Sequence, residues 1–231
     1  MTGQTWLVTG ASRGIGLTLV KQLLTRGHTV IGACRNPDGA RDLWEVQGDY
    51  STRFKSIKLD LNEPQTITHA ASLLKGQTID VLVNNAAVLL GQSGGLREFN
   101  SNDVAKSFEV NSIGPMRVTA AFLPNLEASH SPKIVNVTSL MGSISDNTSG
   151  GYYAYRMSKN ALNMFGKCLS LEFPKITTLS IHPGWVKMAI GGVQDSTEAY
   201  DSVEGIIDVV CGATLKDSGR FLDFQGKALP W

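Results

Sequence analysis

An apolar strand, a glycine-rich turn and an amphipathic helix open the chain, and this combination restricts the possible folds more than any other feature. The apolar run at residues 6–8 is typical of a buried strand, and leucines at helical spacing after residue 15 indicate a helix. Between them stand Gly10, Gly14 and Gly16. A turn that merely needs positive φ does not require three glycines. Glycines let the backbone approach a pyrophosphate, and a helix N-terminus offers free N–H groups and a positive dipole end. The start of the chain therefore predicts a nucleotide-binding βα unit.

Strand-like and helical segments alternate along the rest of the chain. Apolar segments predict further strands at residues 28–33, before residue 60, at 79–83, at 133–137 and at 177–181. Such alternation is typical of parallel βαβ units, and 231 residues are enough to bury a sizeable core. We therefore expect one α/β domain over residues 1–231. Its fold class would be a doubly wound, Rossmann-like parallel sheet of about seven strands with helices on both faces.

The end of the second predicted strand carries a cation where an NAD site usually carries an acid. Arg35 stands where a carboxylate would bind the ribose 2′-hydroxyl, and Arg13 lies within the glycine turn. Two guanidinium groups suit a 2′-phosphate, because each can form charge-assisted bidentate hydrogen bonds. The alternative is a pair of solvated surface arginines. We favour the phosphate site, and hence NADP(H), because of where both residues stand.

Tyr155 and Lys159 have the spacing of one helical turn and therefore lie on one face of a helix. A lysine near a phenol favours the phenolate, and so it would lower the tyrosine pKa from about 10. The tyrosine could then exchange a proton near neutral pH. An isolated match of this kind is more often a half-exposed aromatic beside a solvated lysine, but here other motifs accompany it.

The motifs occur in a fixed order along the chain. They are Thr9, Gly10, Gly14, Gly16, Asp60, Asn84, Asn85, Ala86, Asn111, Ser139, Tyr155, Lys159, Pro183 and Gly184. In this combination the chain resembles the short-chain dehydrogenase/reductase family over nearly its whole length. Residues 146–156 and 226–231 are similar to the C-factor-like and sniffer-like carbonyl reductase branch.

The resemblance implies an NADPH-dependent enzyme that reduces an aldehyde, ketone or quinone to an alcohol. It implies four catalytic residues: Asn111, Ser139, Tyr155 and Lys159. It implies that NADP(H) contacts Gly10, Ser12, Arg13, Gly14, Ile15, Gly16, Arg35, Asp60, Leu61, Asn85, Ala86, Tyr155, Lys159, Pro183, Gly184 and Val186.

The same resemblance implies a role for each catalytic residue. Ser139 would hydrogen-bond the reacting oxygen, and Tyr155 would donate its proton as general acid. Lys159 would lower the tyrosine pKa and hold the nicotinamide ribose. Asn111 would hold a water that links Lys159 to solvent. Gly114 and the proline after it predict an irregularity in that helix, which would free a backbone carbonyl.

The chain departs from the family pattern at two places near the site. The interval from Ser139 to Tyr155 is longer than usual. Tyr152 has the usual spacing, but Arg156 then stands where the lysine is required, so Tyr155 is preferred. Met188 replaces a threonine that commonly holds the nicotinamide amide, which leaves one cofactor contact open.

Apolar residues near the motifs could form a substrate wall, although core packing is an equal alternative for each. They are Leu89, Leu90, Met141, Ile144 and Trp185. Residues 186–199 contain a Gly-Gly pair and a polar run, and we expect them to form a mobile lid. The alternative is a static surface connection.

Composition narrows the partners to small molecules. A net charge of +1 favours neither nucleic acid nor an anionic membrane, and no apolar run approaches the roughly 20 residues of a membrane span. The first strand begins close to Met1, which leaves no room for a signal peptide. Three widely spaced cysteines favour reduced thiols in a cytoplasmic protein, and the histidines show no metal spacing.

Three functional readings remain open at this point. The first is the carbonyl reductase, and the second is an alcohol dehydrogenase that works in the oxidative direction. The third is a C-factor-like signalling protein that binds NADP with incidental turnover. A homodimer through two long helices, near residues 104–126 and 153–171, and a monomer are likewise both open.

Overall fold

Strands and helices alternate along the residues that the computed structural model describes, which are 3–91, 95–186 and 198–231. Within them the strands are β1 (Thr5–Thr9), β2 (Thr29–Cys34), β3 (Phe54–Lys58), β4 (Val81–Asn84), β5 (Lys133–Val137), β6 (Thr177–His182) and β7 (Arg220–Asp223). The α-helices are α1 (Gly14–Thr25), α2 (Arg41–Asp49), α3 (Pro64–Leu73), α4 (Ser101–Phe108), α5 (Gly114–Glu127), α6 (Tyr153–Glu172) and α7 (Ala199–Gly212). A π-helical turn, Glu109–Ile113, joins α4 to α5.

The strands form one parallel sheet in the order β3-β2-β1-β4-β5-β6-β7. The doubly wound α/β fold predicted from the sequence is confirmed. The strand order reverses between β1 and β4, which pair with each other although two strands separate them in the chain. A crevice opens at the carboxyl ends of the strands at such a switch point, and ligands bind there in open α/β sheets.

Helices cover both faces of the sheet, and the central strands β1, β2, β4, β5 and β6 are therefore buried at nearly every position. Along β1, Trp6 and Val8 pack into the core beneath α1 and α7. Leu7, between them, points to the opposite face and packs with Val118 and Phe122 of α5. A strand buried on both sides has no solvent face on which to alternate polar residues.

Two sequence-based expectations involve residues that the structure does not describe. Met188 and residues 187–197 of the predicted lid lie outside the described ranges. Among the helices that are described, none is both long and apolar enough to cross a membrane. The same described residues contain no group of three His, Cys, Asp or Glu side chains arranged to hold a metal ion.

Candidate active site

The first turns of α6 carry Tyr155 and Lys159 on one face, as their spacing predicted. Lys159 is only 2% exposed, and its Nζ donates a hydrogen bond of 2.8 Å to the main-chain oxygen of Val137 on β5. The same Nζ lies 5.8 Å from the centre of the Tyr155 ring. Burial disfavours the charged amine and lowers the pKa of Lys159 to about 7.

The pKa of Tyr155 shifts in the direction opposite to the one expected. Burial raises it, and a hydrogen bond with the Ser139 side chain opposes that rise only in part. The expectation that Lys159 would lower this pKa is wrong for the present geometry. The reason is that Lys159 is itself desolvated and donates to Val137. A raised pKa keeps the Tyr155 phenol protonated at neutral pH.

Tyr152, the alternative tyrosine, stands outside the helix. It is the N-cap residue of α6, it is exposed, and its φ of 50° is left-handed. The residue one helical turn after Tyr152 is Arg156, and not a lysine. The geometry therefore favours Tyr155.

The loop after β5 places Ser139 beside Tyr155. Ser139 Oγ accepts a 3.1 Å hydrogen bond from the main-chain N–H of Met141 and so caps a short 3₁₀ turn, Leu140–Gly142. This turn packs directly on α6, because a Cβ added at Gly142 would lie 2.8 Å from the carbonyl carbon of Lys159. Ser139 thus both caps the turn and contacts Tyr155, and its hydroxyl proton stays available for donation.

Asn111 lies in the π-helical turn, which confirms the irregularity predicted for this helix. Its side chain accepts from the N–H of Val88 at 2.8 Å and donates to the oxygen of Val88 at 2.9 Å and to Ser158 Oγ at 3.0 Å. Ser158 Oγ in turn donates to the main-chain oxygen of Tyr155 at 2.8 Å. Asn111 therefore ties the loop after β4 to the turn of α6 that carries Tyr155.

Sequence reasoning missed two residues of this network, Ser112 and Ser158. Ser112 Oγ donates to the main-chain oxygen of Ser158 at 2.7 Å, and both residues are buried. The available signal was the position of Ser158 directly before Lys159. The water that Asn111 was expected to hold stays a prediction.

The glycine turn has the backbone that its residues predicted. Gly10 and Gly14 adopt left-handed φ values of 67° and 54°. Gly16 could not be replaced without movement, because a Cβ there would lie 2.2 Å from the oxygen of Gly10. The main-chain N–H groups of Asn85 and Ala86 donate to the Thr9 side chain at 3.0 and 3.2 Å, which joins the ends of β1 and β4.

The N-terminus of α1 follows this turn and keeps donors free. The first helical hydrogen bond runs from Leu17 N–H to the oxygen of Arg13, and Arg13 makes no side-chain cap. The N–H groups of Gly14, Ile15 and Gly16 precede that bond and have no intrahelical acceptor. They suit a phosphate group.

A pocket of ≈ 400 Å³ lies beyond the end of β2. It is lined by Ser12, Arg35, Asn36, Gly39, Ala40, Arg41 and Asp42. Arg41, at the start of α2, is a cation that sequence reasoning missed, although its position soon after Arg35 was a visible signal. Its Nε lies 3.3 Å from Glu45, and both side chains are exposed, so this ion pair constrains it weakly. Arg13 is exposed beside Ser12 and is not part of this lining.

Asp60 and Leu61 follow β3, as predicted, but they differ in their surroundings. Asp60 is partly exposed, and its Oδ1 accepts a 2.9 Å hydrogen bond from the N–H of Asn62. Leu61 is buried, and a Cβ added at Gly114 would lie 2.8 Å from its own Cβ. The Leu61 side chain therefore packs against the start of α5, directly after the π-helical turn.

The end of β6 completes this edge of the sheet. Gly184 has a φ of 80°, Val186 is partly buried against the core, and Ser202 of α7 donates to the main-chain oxygen of Pro183. His182 is buried and contacts the ring of Trp185 edge-on, with 6.3 Å between ring centres. Burial lowers the pKa of His182 to about 4, although two nearby aspartates oppose this shift.

The comparison with known protein families decides the identity of this site. Residues 4–199 match the family model described as short chain dehydrogenase. The chain belongs to the short-chain dehydrogenase family. It is therefore an oxidoreductase of that family, and the resemblance recognised in the sequence is confirmed.

This short-chain dehydrogenase is similar to several characterised proteins. It is 44% identical to the C-signal of Myxococcus xanthus over 155 residues, which cover 66% of this chain and 93% of that protein. The crystal structure of NADPH-bound carbonyl reductase from chicken fatty liver matches with 32% identity and a TM-score of 0.94 over 100% of both chains. The carbonyl reductase Sniffer of D. melanogaster matches with 30% identity and a TM-score of 0.92, again over 100% of both chains.

In this short-chain dehydrogenase the predicted site residues gather at one edge of the sheet. Tyr155, Ser139 and Lys159 meet at the end of β5, and Asn111 reaches them through Ser158. Two of the apolar residues are too exposed to serve as core: Ile144 at 75% and Trp185 at 52%. The other three are partly buried and remain open to either interpretation.

Proposed function

We propose that the protein uses NADPH to reduce the carbonyl group of a small-molecule aldehyde, ketone or quinone to an alcohol. The observation that carries this proposal is the meeting of a buried Lys159 with a protonated Tyr155 and its partner Ser139. A protonated phenol is in the form that a general acid needs in a carbonyl reduction.

The residues present fit nicotinamide adenine dinucleotide phosphate, NADP(H). The free N–H groups at the start of α1 suit the pyrophosphate, and Arg35 and Arg41 offer two guanidinium groups to a 2′-phosphate. Asp42 also lines that pocket, but its single carboxylate leaves the two cations in excess. The similarity to an NADPH-bound carbonyl reductase supports the same cofactor. When bound, NADPH supplies the hydride.

Each catalytic side chain has a task that its surroundings permit. Ser139 would donate a hydrogen bond to the carbonyl oxygen as negative charge develops there. Tyr155 would give that oxygen its proton. Lys159 has three donors when charged, of which one goes to Val137, and the other two would hold the ribose hydroxyls. Asn111 and Ser158 would keep the turn that carries Tyr155 in place.

The test is NADPH consumption with a panel of aldehydes, ketones and quinones. Wild type should reduce at least one class, and Tyr155→Phe should lose at least about a hundredfold in kcat while it still binds NADPH. Tyr152→Phe is the matched control and should keep its activity. If Tyr152→Phe were inactive and Tyr155→Phe near normal, the assignment of the tyrosine would be wrong.

The cofactor preference has a test of its own. Losing a charged hydrogen bond to the 2′-phosphate costs about 1.5–3 kcal/mol, so Arg35→Asp should weaken NADPH binding by at least about tenfold and change NADH binding little. Fluorescence titration measures both affinities. Equal affinity of wild type for the two cofactors would overturn the proposed preference.

A second candidate is a signalling protein that binds NADP with incidental turnover. The 44% identity to the C-signal of Myxococcus xanthus favours it. Tight NADPH binding without reduction of any carbonyl in the panel would support this candidate over the enzyme. Oxidation of alcohols by NADP⁺, faster than the reverse reaction, would instead support the oxidative dehydrogenase.

The assembly and location of the protein also stay proposals. The two long helices expose apolar side chains, among them Met116 of α5 and Met157, Met164 and Leu171 of α6. A homodimer through these faces would bury them, and sedimentation equilibrium would distinguish it from a monomer. We retain the cytoplasm as the proposed location.

A further inference from the structure

Arg156, the residue after Tyr155, closes the base of the loop that separates Ser139 from Tyr155. We call residues 140–152 the Ser–Tyr loop. The Arg156 guanidinium donates to the main-chain oxygen of Met141 at 3.3 Å, near the start of this loop. It also donates to the oxygen of Gly150 at 3.2 Å and to Ser149 Oγ at 2.9 Å, near the loop's end. One side chain thus joins both ends of the Ser–Tyr loop.

A second anchor holds the middle of the Ser–Tyr loop. Ser143 Oγ and the N–H of Ser145 both donate to the main-chain oxygen of Trp231, at 3.0 and 2.9 Å. The ring of Trp231 lies 5.4 Å from that of Phe221 on β7, which ties this anchor to the sheet. Ser143 Oγ also accepts a 3.0 Å hydrogen bond from Asp146 N–H.

One residue at the end of the Ser–Tyr loop, Tyr152, has a backbone conformation that is costly to hold. Gly150, Gly151 and Tyr152 are consecutive left-handed residues, with φ values of 63°, 66° and 50°. A tyrosine in this region costs about 1–3 kcal/mol and persists only where its surroundings enforce it. Arg156 bonds to this end of the loop through Gly150 and Ser149. The Asn147 side chain also accepts a 3.0 Å hydrogen bond from the N–H of Gly150, but Asn147 lies within the loop itself.

The Ser–Tyr loop borders the place where a carbonyl substrate would sit. It begins directly after Ser139 and ends just before Tyr155, at the carboxyl edge of the sheet. It exposes Ile144, while Tyr152 at its end and Tyr153 beside it are 39% and 41% exposed. Apolar side chains of this kind gain free energy when a ligand covers them.

We propose that Arg156 is a positioning residue that holds the Ser–Tyr loop as a preformed wall of the substrate site. This wall selects carbonyl compounds with a bulky apolar body over small aldehydes. The inference rests on the proposed carbonyl reduction. Arginine suits the task because its planar fork reaches three acceptors at once, whereas a lysine ammonium is a compact point charge.

The experiment compares 2-naphthaldehyde with propanal as substrates of four variants. Arg156→Met and Arg156→Lys release the base of the Ser–Tyr loop, and Ser143→Ala releases its middle without a change next to Tyr155. Lys167→Met, at an exposed position on the same helix, is the matched control. For each protein we would measure kcat and KM, the NADPH dissociation constant, the melting temperature and hydrogen exchange at residues 143–151.

The proposal makes the effect depend on substrate size. In Arg156→Met and Ser143→Ala, kcat/KM for 2-naphthaldehyde should fall by at least about tenfold, mainly through KM, while propanal changes by less than about threefold. NADPH affinity should be kept, and exchange at residues 143–151 should rise. Arg156→Lys should not restore the bulky substrate.

Two outcomes would overturn the proposal. Equal losses for both aldehydes would mean that Arg156 merely supports the fold or the catalytic tyrosine. Unchanged kinetics in both Arg156→Met and Ser143→Ala would mean that the wall selects nothing. Wild type that binds NADPH but reduces neither these aldehydes nor any other carbonyl would overturn the proposed function, and this inference with it.

Discussion

Removing the Lys159 amine should change the pH dependence of stability in a way that few other substitutions would. The side chain is almost fully buried, and its Nζ donates a single hydrogen bond to described residues, the one to Val137. Its folded-state pKa is about 7, against an ordinary value of 10.5. Lys159→Met keeps a side chain of similar length and removes the charge.

The direction in which stability changes with pH depends on whether the folded or the unfolded chain binds the proton more readily. Above pH 10.5 the amine is neutral in both states, and its titration costs nothing. As the pH falls from 10.5 towards about 7, the unfolded chain takes up a proton that folded Lys159 does not, so the folded state loses stability. At 1.36 kcal/mol per pH unit, the full cost is about 5 kcal/mol, and it no longer grows below pH 7.

The measurement is urea denaturation of wild type and Lys159→Met between about pH 7.5 and 9.5. Wild type should gain stability as the pH rises, and the variant should not. The free energy of unfolding of the variant, minus that of wild type, should therefore fall by about 3 kcal/mol as the pH rises from about 7.5 to 9.5. The lost bond to Val137 adds a constant, and Lys133, whose pKa burial also lowers, is common to both proteins. Neither the lost bond nor Lys133 therefore changes how the stability difference between the two proteins varies with pH.

A control with the same chemistry separates burial from charge. Lys167→Met removes an exposed amine from the same helix, and its stability should follow that of wild type throughout this pH range. A difference between wild type and Lys159→Met that does not vary with pH would refute the reasoning, because it would mean that folded Lys159 titrates as it does in the unfolded chain.

Three further predictions concern single residues. Arg41→Gln should weaken NADPH binding by about tenfold and leave NADH binding unchanged in a fluorescence titration, because it removes one cation from the pocket beyond β2. Gly142→Ala should cost about 1–3 kcal/mol in urea denaturation and reduce kcat, since its Cβ would press on the Lys159 backbone, whereas Gly48→Ala, with no atom within 4 Å of its Cβ, should not destabilise. His182→Gln should lack an acid-induced loss of about 3 kcal/mol that wild type shows between pH 6.5 and about 4, because folded His182 resists protonation; parallel stability curves over this range would contradict the lowered pKa.

Local sequence patterns were sufficient to predict the fold and the placement of Tyr155 and Lys159 on one helix face. Apolar runs that end in glycine or polar residues predicted six of the strands, and β7 entered only as part of the expected total of about seven. The spacing of Tyr155 and Lys159, together with Arg156 one turn after Tyr152, distinguished the two tyrosines. Gly114 and its neighbouring proline predicted the irregular helix in which Asn111 lies. All of these signals act over a few residues, where backbone geometry depends on the side chains themselves.

Contacts between distant segments were decided only by the tertiary structure. Ser158 bonds to Asn111, 47 positions away, and Ser143 bonds to Trp231, 88 positions away. No periodicity in the sequence specifies which remote groups will meet, because each meeting depends on how several helices pack on the sheet.

The same distinction explains the error in the Tyr155 pKa. From spacing alone, Lys159 was a nearby cation that would stabilise the phenolate. In the fold, α6 packs on β5 and buries Lys159 almost fully and Tyr155 in part, so burial raises the pKa of Tyr155 and lowers that of Lys159. The sequence determined which two groups stand side by side, whereas the packing around them determined their protonation, because desolvation depends on every element that covers the site.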